Sequence, residues 1–100
     1  MIAILWRYTV RPEAREAFEI FYSSSGSWAE LFGRSEFYLG TELLRGEGDT
    51  YLTIDRWRSE DDFQAFLALH RADYDALDRA AEGWTVEERN IGTWQGVASG

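Results

Sequence analysis

The chain has 100 residues, of which 45% are apolar and one is proline, so length and composition predict a single globular domain over residues 1–100. The net charge of −8 argues against nucleic acid or an anionic membrane surface as a partner, and the absence of cysteine excludes disulfides and thiolate chemistry. No apolar run is long enough for a membrane span or a signal peptide, and we expect a cytoplasmic protein.

Aromatic residues make up 16% of the chain and include five tryptophans. A small core does not easily hide so much large apolar surface, and exposed apolar patches are rare on monomers. The composition therefore predicts either an interface or an aromatic-lined cavity.

The first half of the chain predicts a strand followed by two helices. Residues 1–10 alternate, which predicts a strand with Ile2, Ile4, Trp6, Tyr8 and Val10 on one face. Pro12 then begins an amphipathic helix that the run SSSG at 23–26 ends. Its apolar stripe is Ala14, Ala17, Phe18, Phe21 and Tyr22. Ser27 is predicted to cap a short second helix that ends at Gly33.

The second half predicts a hairpin, a long helix and a last strand. Residues 37–45 and 50–58 read as strands joined by the turn at 46–49. Ser59, with Asp62 three residues later, predicts the N-terminus of a helix that continues to Gly83. An unbroken helix of that length would span about 34 Å, so we expect a kink or break at 69–72. Residues 85–94 form the predicted last strand, and the final VASG is expected to fray.

The order βαββαβ predicts a ferredoxin-like α+β fold with a four-stranded antiparallel sheet, in which strands one and three are central. Helices cover only one face of such a sheet. The other face carries Leu5, Leu52 and Ile54, which would otherwise meet water. We therefore expect a homodimer in which a second sheet covers this face.

The strand at 50–58 carries the main candidate catalytic residue. Alternation places Thr53, Asp55 and Trp57 on one side of it. A carboxylate among aromatic residues has a raised pKa unless it is paired, which would suit a general base that accepts a phenolic proton. The alternative is a structural ion pair with Arg7, Arg56 or Arg89. Trp57 itself is either a binding residue or an aromatic cap of the core.

His70 is the only histidine, and it lies on the apolar stripe where the break is expected. It is either a hydrogen-bonded residue of the core or rim, or a proton shuttle at a pocket mouth. One histidine and no cysteine leave only carboxylates to cluster, so we expect no metal site.

Four segments carry a resemblance to a known family: RYTVRPE, FYSSSGSWAELF, GTELLR and, most specifically, YLTIDRWRSEDDFQAF. With them the chain resembles the antibiotic biosynthesis monooxygenase family. The resemblance implies that the ferredoxin-like unit pairs into a dimeric α/β barrel. The family includes cofactor-free oxygenases of aromatic polyketides and quinols, haem-degrading enzymes and small proteins of unassigned role.

The resemblance transfers only in part to individual positions. Trp57 matches the tryptophan that lines the pocket of the polyketide oxygenases, but Thr53 stands where they have asparagine. In the haem-degrading branch the asparagine, tryptophan and histidine fall at Trp6, Phe66 and about Asp78. None of these three matches, so we expect no haem degradation by that route.

The resemblance and the residues together predict a cofactor-independent monooxygenase that oxidises a small quinol- or polyketide-like aromatic compound. Asp55 or His70 would deprotonate the substrate. The predicted substrate-binding residues are Trp6, Tyr8, Thr53, Trp57, Phe63 and Tyr74. One alternative is a non-enzymatic small-molecule-binding or stress-associated protein, and another is a decarboxylase or isomerase of a polar aromatic acid. An unpaired polar group deep in the pocket would favour catalysis, whereas a fully packed apolar space would favour a structural role.

Overall fold

The computed structural model describes residues 1–97, which form four strands and three α-helices. In chain order these are β1 (Ile2–Val10), α1 (Arg15–Tyr22), α2 (Ser27–Phe32), β2 (Tyr38–Arg45), β3 (Thr50–Trp57), α3 (Glu60–Ala81) and β4 (Thr85–Gln95). Single 3₁₀ turns at Pro12–Ala14 and Glu82–Trp84 precede α1 and β4. The observed strand ends lie within one residue of those predicted. Ala98, Ser99 and Gly100 of the predicted frayed tail lie outside the described residues.

The sheet has the strand order β2-β3-β1-β4 with every neighbouring pair antiparallel, so the ferredoxin-like α+β prediction is confirmed. The central positions of β1 and β3 follow from chain order, because each crossover helix makes the strands that it joins parallel. The hairpin between β2 and β3 closes through the Gly46 amide, which donates to the Thr50 carbonyl oxygen at 2.9 Å. Gly48 has a φ of +61°, the left-handed conformation that favours glycine in such a turn.

The start of α2 corrects the predicted cap. Gly26 is the N-cap residue, and Ser27 is already the first helical residue. The chain doubles back so closely after α1 that a Cβ on Gly26 would lie 2.3 Å from the Ile20 carbonyl oxygen. Glycine is therefore required there, and the helix begins without a side-chain cap.

The N-terminus of α3 is the predicted one. The Asp62 amide donates to the Ser59 hydroxyl oxygen at 3.1 Å, and the Arg58 guanidinium holds the Asp62 carboxylate with two hydrogen bonds of 2.7 and 2.9 Å. The predicted break is a kink, because His70 alone within the helix has non-helical angles (φ −117°, ψ 25°). The part before the kink carries Phe66, and the part after it carries Tyr74.

The core lies between the helices and one face of the sheet. Its sheet side includes Ile2, Ile4, Tyr8, Val10, Tyr51 and Trp57, and its helix side includes Phe18, Tyr22, Trp28, Phe32 and Phe66. The expectation that Ala17 shares the buried stripe of α1 is wrong, because it lies at the edge of the stripe and is exposed.

The opposite face of the sheet is open. It carries Leu5, Leu52 and Ile54, all partly exposed, together with Leu44 and Trp94. Leu44 is 44% exposed and Trp94 is 57% exposed, which is unusual for side chains of this size and leaves a contiguous apolar surface. No helix within residues 1–97 is long and apolar enough to cross a membrane.

Candidate active site

A cavity of about 110 Å³ opens between the inner face of the sheet, α2 and the part of α3 after the kink. Its lining residues are Trp6, Tyr8, Tyr22, Trp28, Phe32, Thr41, Thr53, Asp55, Tyr74, Asp78 and Glu88. An engineered apolar cavity of about 150 Å³ holds benzene. The volume here is somewhat smaller, so the enclosed part of the cavity holds at most a single aromatic ring and not a porphyrin.

Asp55 is the acidic group on the inner side of the cavity. It lies on β3 directly opposite Thr41 of β2, whose hydroxyl donates to Asp55 Oδ1 at 2.6 Å. Burial raises the pKa of Asp55 from 3.8 to about 6, and the hydrogen bond from Thr41 opposes that shift only in part. The carboxyl group thus changes its charge close to neutral pH.

The ion pair that was the alternative for Asp55 is not formed within residues 1–97. Arg7, Arg56 and Arg89 lie on the other face of the sheet, because side chains of a strand alternate. Arg56 pairs with Glu42 there, and Arg7 pairs with Glu87 at 3.6 Å. The carboxyl group of Asp55 therefore has a hydroxyl donor but no positive partner.

A second hydroxyl holds this arrangement in place. The single hydroxyl proton of Thr41 is used by Asp55, so Tyr38 must donate to Thr41 in their short hydrogen bond. The resulting chain runs from Tyr38 through Thr41 to Asp55 and fixes the orientation of the carboxyl group. Tyr38, on β2, does not itself line the cavity.

The tyrosines of the cavity are poor bases. The hydroxyl groups of Tyr8 and Thr53 share a hydrogen bond of 3.0 Å, and burial raises the pKa of Tyr8 well above its usual value. Burial likewise raises the pKa of Tyr22, and that of Tyr74 to about 12. All three hydroxyls stay protonated at neutral pH, so they can donate hydrogen bonds to a ligand but cannot accept its proton.

Two further carboxylates lie at the exposed mouth of the cavity. Asp78 lies one turn after Tyr74 on α3, and Glu88 lies opposite Tyr8 on β4. Burial raises the pKa of Glu88, and the nearby charge of Asp78 raises it further. The cavity is therefore negatively charged at its mouth as well as at Asp55.

The structure brings together five of the predicted site residues but places three elsewhere. Trp6, Tyr8, Thr53, Asp55 and Tyr74 line the cavity. Trp57 points to the same face as Asp55 but is fully buried in the core, where its ring centroid lies 5.3 Å from that of Phe63 and 5.2 Å from that of Phe66. Trp57 and Phe63 therefore support the wall without lining the cavity.

His70 also lies away from the cavity. Its ring packs against Phe66 with centroids 4.8 Å apart, and its Nδ1 is 3.5 Å from a guanidinium nitrogen of Arg34. Arg34 is itself paired with Asp73 at 2.7 Å. This position matches the hydrogen-bonded rim residue of the sequence analysis and gives no path from the imidazole to a ligand in the cavity.

The sequence analysis missed several lining residues as site residues. Tyr22 was assigned only to the apolar stripe of the first helix, and Trp28, Phe32, Thr41, Asp78 and Glu88 were not assigned to a site. Counting back from the hairpin turn would have placed Thr41 opposite Asp55, because the register is continuous over that stretch. The spacing of Tyr74 and Asp78, four residues apart on one helix, likewise puts them on one face.

Among the described residues the cavity offers few of the side chains that bind a metal ion or a haem iron. Residues 1–97 contain no group of three or more histidine, aspartate or glutamate side chains placed to hold a metal ion. Of the three positions that the resemblance relates to haem degradation, Trp6 and Asp78 line the cavity and Phe66 is buried in the core. Neither an indole nor a phenyl ring is a haem-iron ligand, and a carboxylate is not one of the usual ones.

Solved structures resemble the whole fold at low sequence identity. SnoaB, a cofactor-independent oxygenase from Streptomyces nogalater, is 22% identical with a TM-score of 0.73, over 98% of this chain and 94% of that one. Rv0793 from Mycobacterium tuberculosis is 14% identical with a TM-score of 0.67, over 98% and 96%. A MhuD variant with two manganese protoporphyrin IX molecules bound per active site is 19% identical with a TM-score of 0.67, over 99% and 97%. The TM-scores show that these proteins share the fold of this chain.

A search of curated proteins gives no significant match. The family model described as antibiotic biosynthesis monooxygenase matches residues 1–72, which contain β1 to β3, the start of α3 and the Thr41–Asp55 pair. This match covers well over half of the sequence. The chain therefore belongs to the antibiotic biosynthesis monooxygenase family.

Proposed function

We propose that this protein is a cofactor-independent monooxygenase that oxidises a small, single-ring hydroxyaromatic compound. The observation that carries the proposal is Asp55, an unpaired carboxyl group with a pKa of about 6 in an aromatic cavity large enough for one ring. A general base works best when its pKa lies near the working pH. The family membership, and the oxygenase activity of the structurally similar SnoaB, support the same class of reaction.

In the proposed reaction Asp55 accepts the proton of the substrate hydroxyl. The electron-rich phenolate then gives one electron to dioxygen, and the two radicals combine at a ring carbon that carries hydrogen. Loss of water from the resulting hydroperoxide leaves a carbonyl group at that carbon. One oxygen atom of O₂ enters the product and the other leaves as water, so the four-electron oxidation of a phenol to a quinone needs no other reductant or oxidant.

The surrounding groups orient the proposed base and enclose the substrate ring. The hydroxyl chain from Tyr38 through Thr41 orients Asp55, and the Tyr8–Thr53 pair provides protonated hydroxyls on the same wall. Trp6, Trp28 and Tyr74 enclose the ring and keep water away from it. Exclusion of water favours electron transfer to dioxygen over quenching of the intermediates.

Oxygen uptake with a panel of phenols and hydroquinones tests the proposal. We expect wild-type protein to consume one O₂ per product formed, with one atom of labelled dioxygen in the product. Asp55→Asn should lose at least about 10²-fold in turnover, which is typical for removal of a general base. Asp75→Asn, which changes a half-buried carboxylate paired with Arg71 on α3 and outside the cavity lining, is the matched control and should keep full activity.

No uptake by wild-type protein across the panel, while ring compounds still bind, would replace the enzymatic proposal with the non-enzymatic binding protein. Equal turnover by wild type and Asp55→Asn would instead refute the role of Asp55 alone.

We also propose that the open sheet face pairs with a second copy of the chain to form a dimeric barrel. The support is the apolar surface around Leu5, Leu52 and Ile54, flanked by the exposed Leu44 and Trp94. The ion pair Arg56–Glu42 lies on the same face, as do Arg7 and Arg89, which share Glu87 at 3.6 and 3.9 Å. An apolar centre with paired charges around it is typical of a stable homodimer interface.

A further inference from the structure

The charges that line the cavity are all of one sign. Among its eleven lining residues are three carboxylates, Asp55, Asp78 and Glu88, and no arginine, lysine or histidine. They come from three separate elements, β3, α3 and β4. The nearby Arg71 lies outside the lining, with its guanidinium 5.6 Å from the Tyr74 ring centroid and paired with Asp75 at 3.4 Å.

The negative charges of these carboxylates are not compensated by positively charged partners within the described residues. Asp55 accepts one hydrogen bond, from Thr41. Glu88 accepts a long one of 3.4 Å from Thr85, and neither Asp78 nor Glu88 forms an ion pair within residues 1–97. Asp78 and Glu88 also repel each other, since the charge of Asp78 raises the pKa of Glu88. A positively charged group between them would remove this repulsion.

The aromatic wall suits the same kind of ligand. Trp6, Tyr22, Trp28 and Tyr74 line the cavity together with Phe32, and ring faces attract cations within about 6 Å. Trp28 is only 8% exposed, and its buried indole N–H lies beside the Tyr22 hydroxyl. The indole N–H of Trp57, outside the cavity, is buried without an acceptor among the described residues, so the aromatic faces of the wall and not an indole N–H are what favour a cationic ligand.

We propose that the natural ligand is a single-ring hydroxyaromatic amine, bound with its hydroxyl group toward Asp55 and its protonated amine at the mouth between Asp78 and Glu88. The position of the hydroxyl group rests on the proposed function, and the position of the amine rests on the charges of the mouth. The same charges disfavour aromatic acids, including the polar aromatic acid that a decarboxylase would take. The volume of about 110 Å³ limits the ligand to one ring.

Three single-ring phenols of different charge test this proposal: tyramine, 4-ethylphenol and 3-(4-hydroxyphenyl)propanoate. At pH 8 their side chains are positive, neutral and negative, and their phenols are all protonated. Calorimetric titration of the full chain at low salt should give tyramine an affinity about tenfold above that of 4-ethylphenol, since a partly desolvated cation on carboxylates and rings gains that much. The propanoate should bind more weakly than both.

Variants identify the groups responsible. Asp78→Asn and Glu88→Gln should each lower the preference for tyramine over 4-ethylphenol by about threefold, as expected for a partly exposed charge pair. Asp75→Asn has the same change in net charge on the same helix and should leave the preference unchanged. Retained binding of 4-ethylphenol in each variant shows that the cavity is still folded.

Equal affinities for the three probes, a preference for the propanoate, or no binding of any probe at millimolar concentration would each overturn the proposal. A tyramine preference that Asp78→Asn and Glu88→Gln leave intact would also overturn it, because the mouth would then not be the source. A tyramine preference without oxygen uptake would leave this inference standing and remove the monooxygenase. Turnover without any charge preference would leave the monooxygenase proposal standing and overturn this inference.

Discussion

Replacement of Asp55 by asparagine should stabilise the protein above pH 6 and leave its stability unchanged at pH 4. The folded-state pKa of about 6 is above the usual value of 3.8, so the folded protein holds this proton more tightly than the unfolded chain does. The resulting stabilisation is complete below about pH 4 and is lost as the pH rises through 6. Asparagine carries no charge at any pH and can still accept the hydrogen bond from Thr41.

The size of the effect follows from the shift. Two pKa units correspond to about 3 kcal/mol, and the partial exposure of Asp55 reduces this to about 1–3 kcal/mol at pH 8. For a domain of this size about 2 kcal/mol raises the melting temperature by roughly 10 °C. Tyr8, Tyr38 and Tyr74 face Asp55 and stay neutral between pH 4 and 8, because burial raises the pKa of each. These tyrosines therefore do not contribute to the pH-dependent difference in stability between wild type and Asp55→Asn.

Thermal melts of wild type, Asp55→Asn and the control Asp75→Asn at pH 4, 6 and 8 measure this difference in stability. The protomer concentration is held constant, because the melting temperature of a dimer depends on it. Asp55→Asn should melt close to the other two proteins at pH 4, show most of the difference already at pH 6 and reach its full value by pH 8, because the stabilisation is lost between the usual pKa of 3.8 and the folded-state pKa of about 6. A loss of roughly 3–5 kcal/mol in Asp55→Asn at pH 8 would refute the reasoning, since that is the cost of breaking a buried ion pair. Equal melting of wild type and Asp55→Asn at every pH would refute the raised pKa.

Four further outcomes follow from other parts of the structure. Leu5→Glu should convert the proposed dimer to a monomer in light scattering at micromolar concentration, because it would put an unpaired charge in an apolar interface. A monomeric wild type would contradict the proposed barrel. Trp57→Phe should cost about 1–3 kcal/mol in denaturant unfolding yet change ligand affinity less than about twofold, since Trp57 is buried outside the cavity; the opposite pattern would make it a binding residue. Gly26→Ala should destabilise by about 1–3 kcal/mol by overpacking, whereas Gly83→Ala, with open space around it, should not. Haem titration should give no one-to-one complex with a sharp Soret band at micromolar affinity, because the cavity has the volume of one ring.

The turnover of the proposed enzyme should also depend on pH. As a general base Asp55 must be ionised, so activity should rise as the pH increases through about 6 and then level off. A rate that falls over this range would contradict the assignment. Measurement with a neutral phenol keeps the charge of the ligand constant.

The sequence by itself determined the elements and the topology of this protein. Alternation in the strands, the Ser59–Asp62 cap and the glycine turn at 46–49 are local signals, and each acts through a few neighbouring residues. The strand order then follows from two crossover helices and one hairpin. The kink of α3 was also predictable, because an unbroken helix of that length would extend beyond the end of the sheet.

The sequence also determined one side of the site. Alternation put Thr53 and Asp55 on the same face of β3, and the structure places both in the cavity. The same alternation could have excluded Arg7 and Arg56 as partners of Asp55, because they share the face of Leu5 and Leu52. It did not determine whether Arg89 of β4 was a partner. The pleat of the sheet decided this, since all three point to the opposite face.

Only the tertiary structure decided which aromatic residues pack the core and which enclose the cavity. Trp57 and Trp28 are both tryptophans on apolar faces. Trp57 lies beneath the part of α3 before the kink. Trp28 lies beside Tyr74, after the kink, with the two ring centroids 4.9 Å apart. Asp78 and Glu88 are distant from Asp55 in sequence and meet at one cavity only because α3 and β4 return across the sheet. The local pattern fixes which face a side chain takes, whereas the presence of empty space depends on how separate elements pack together.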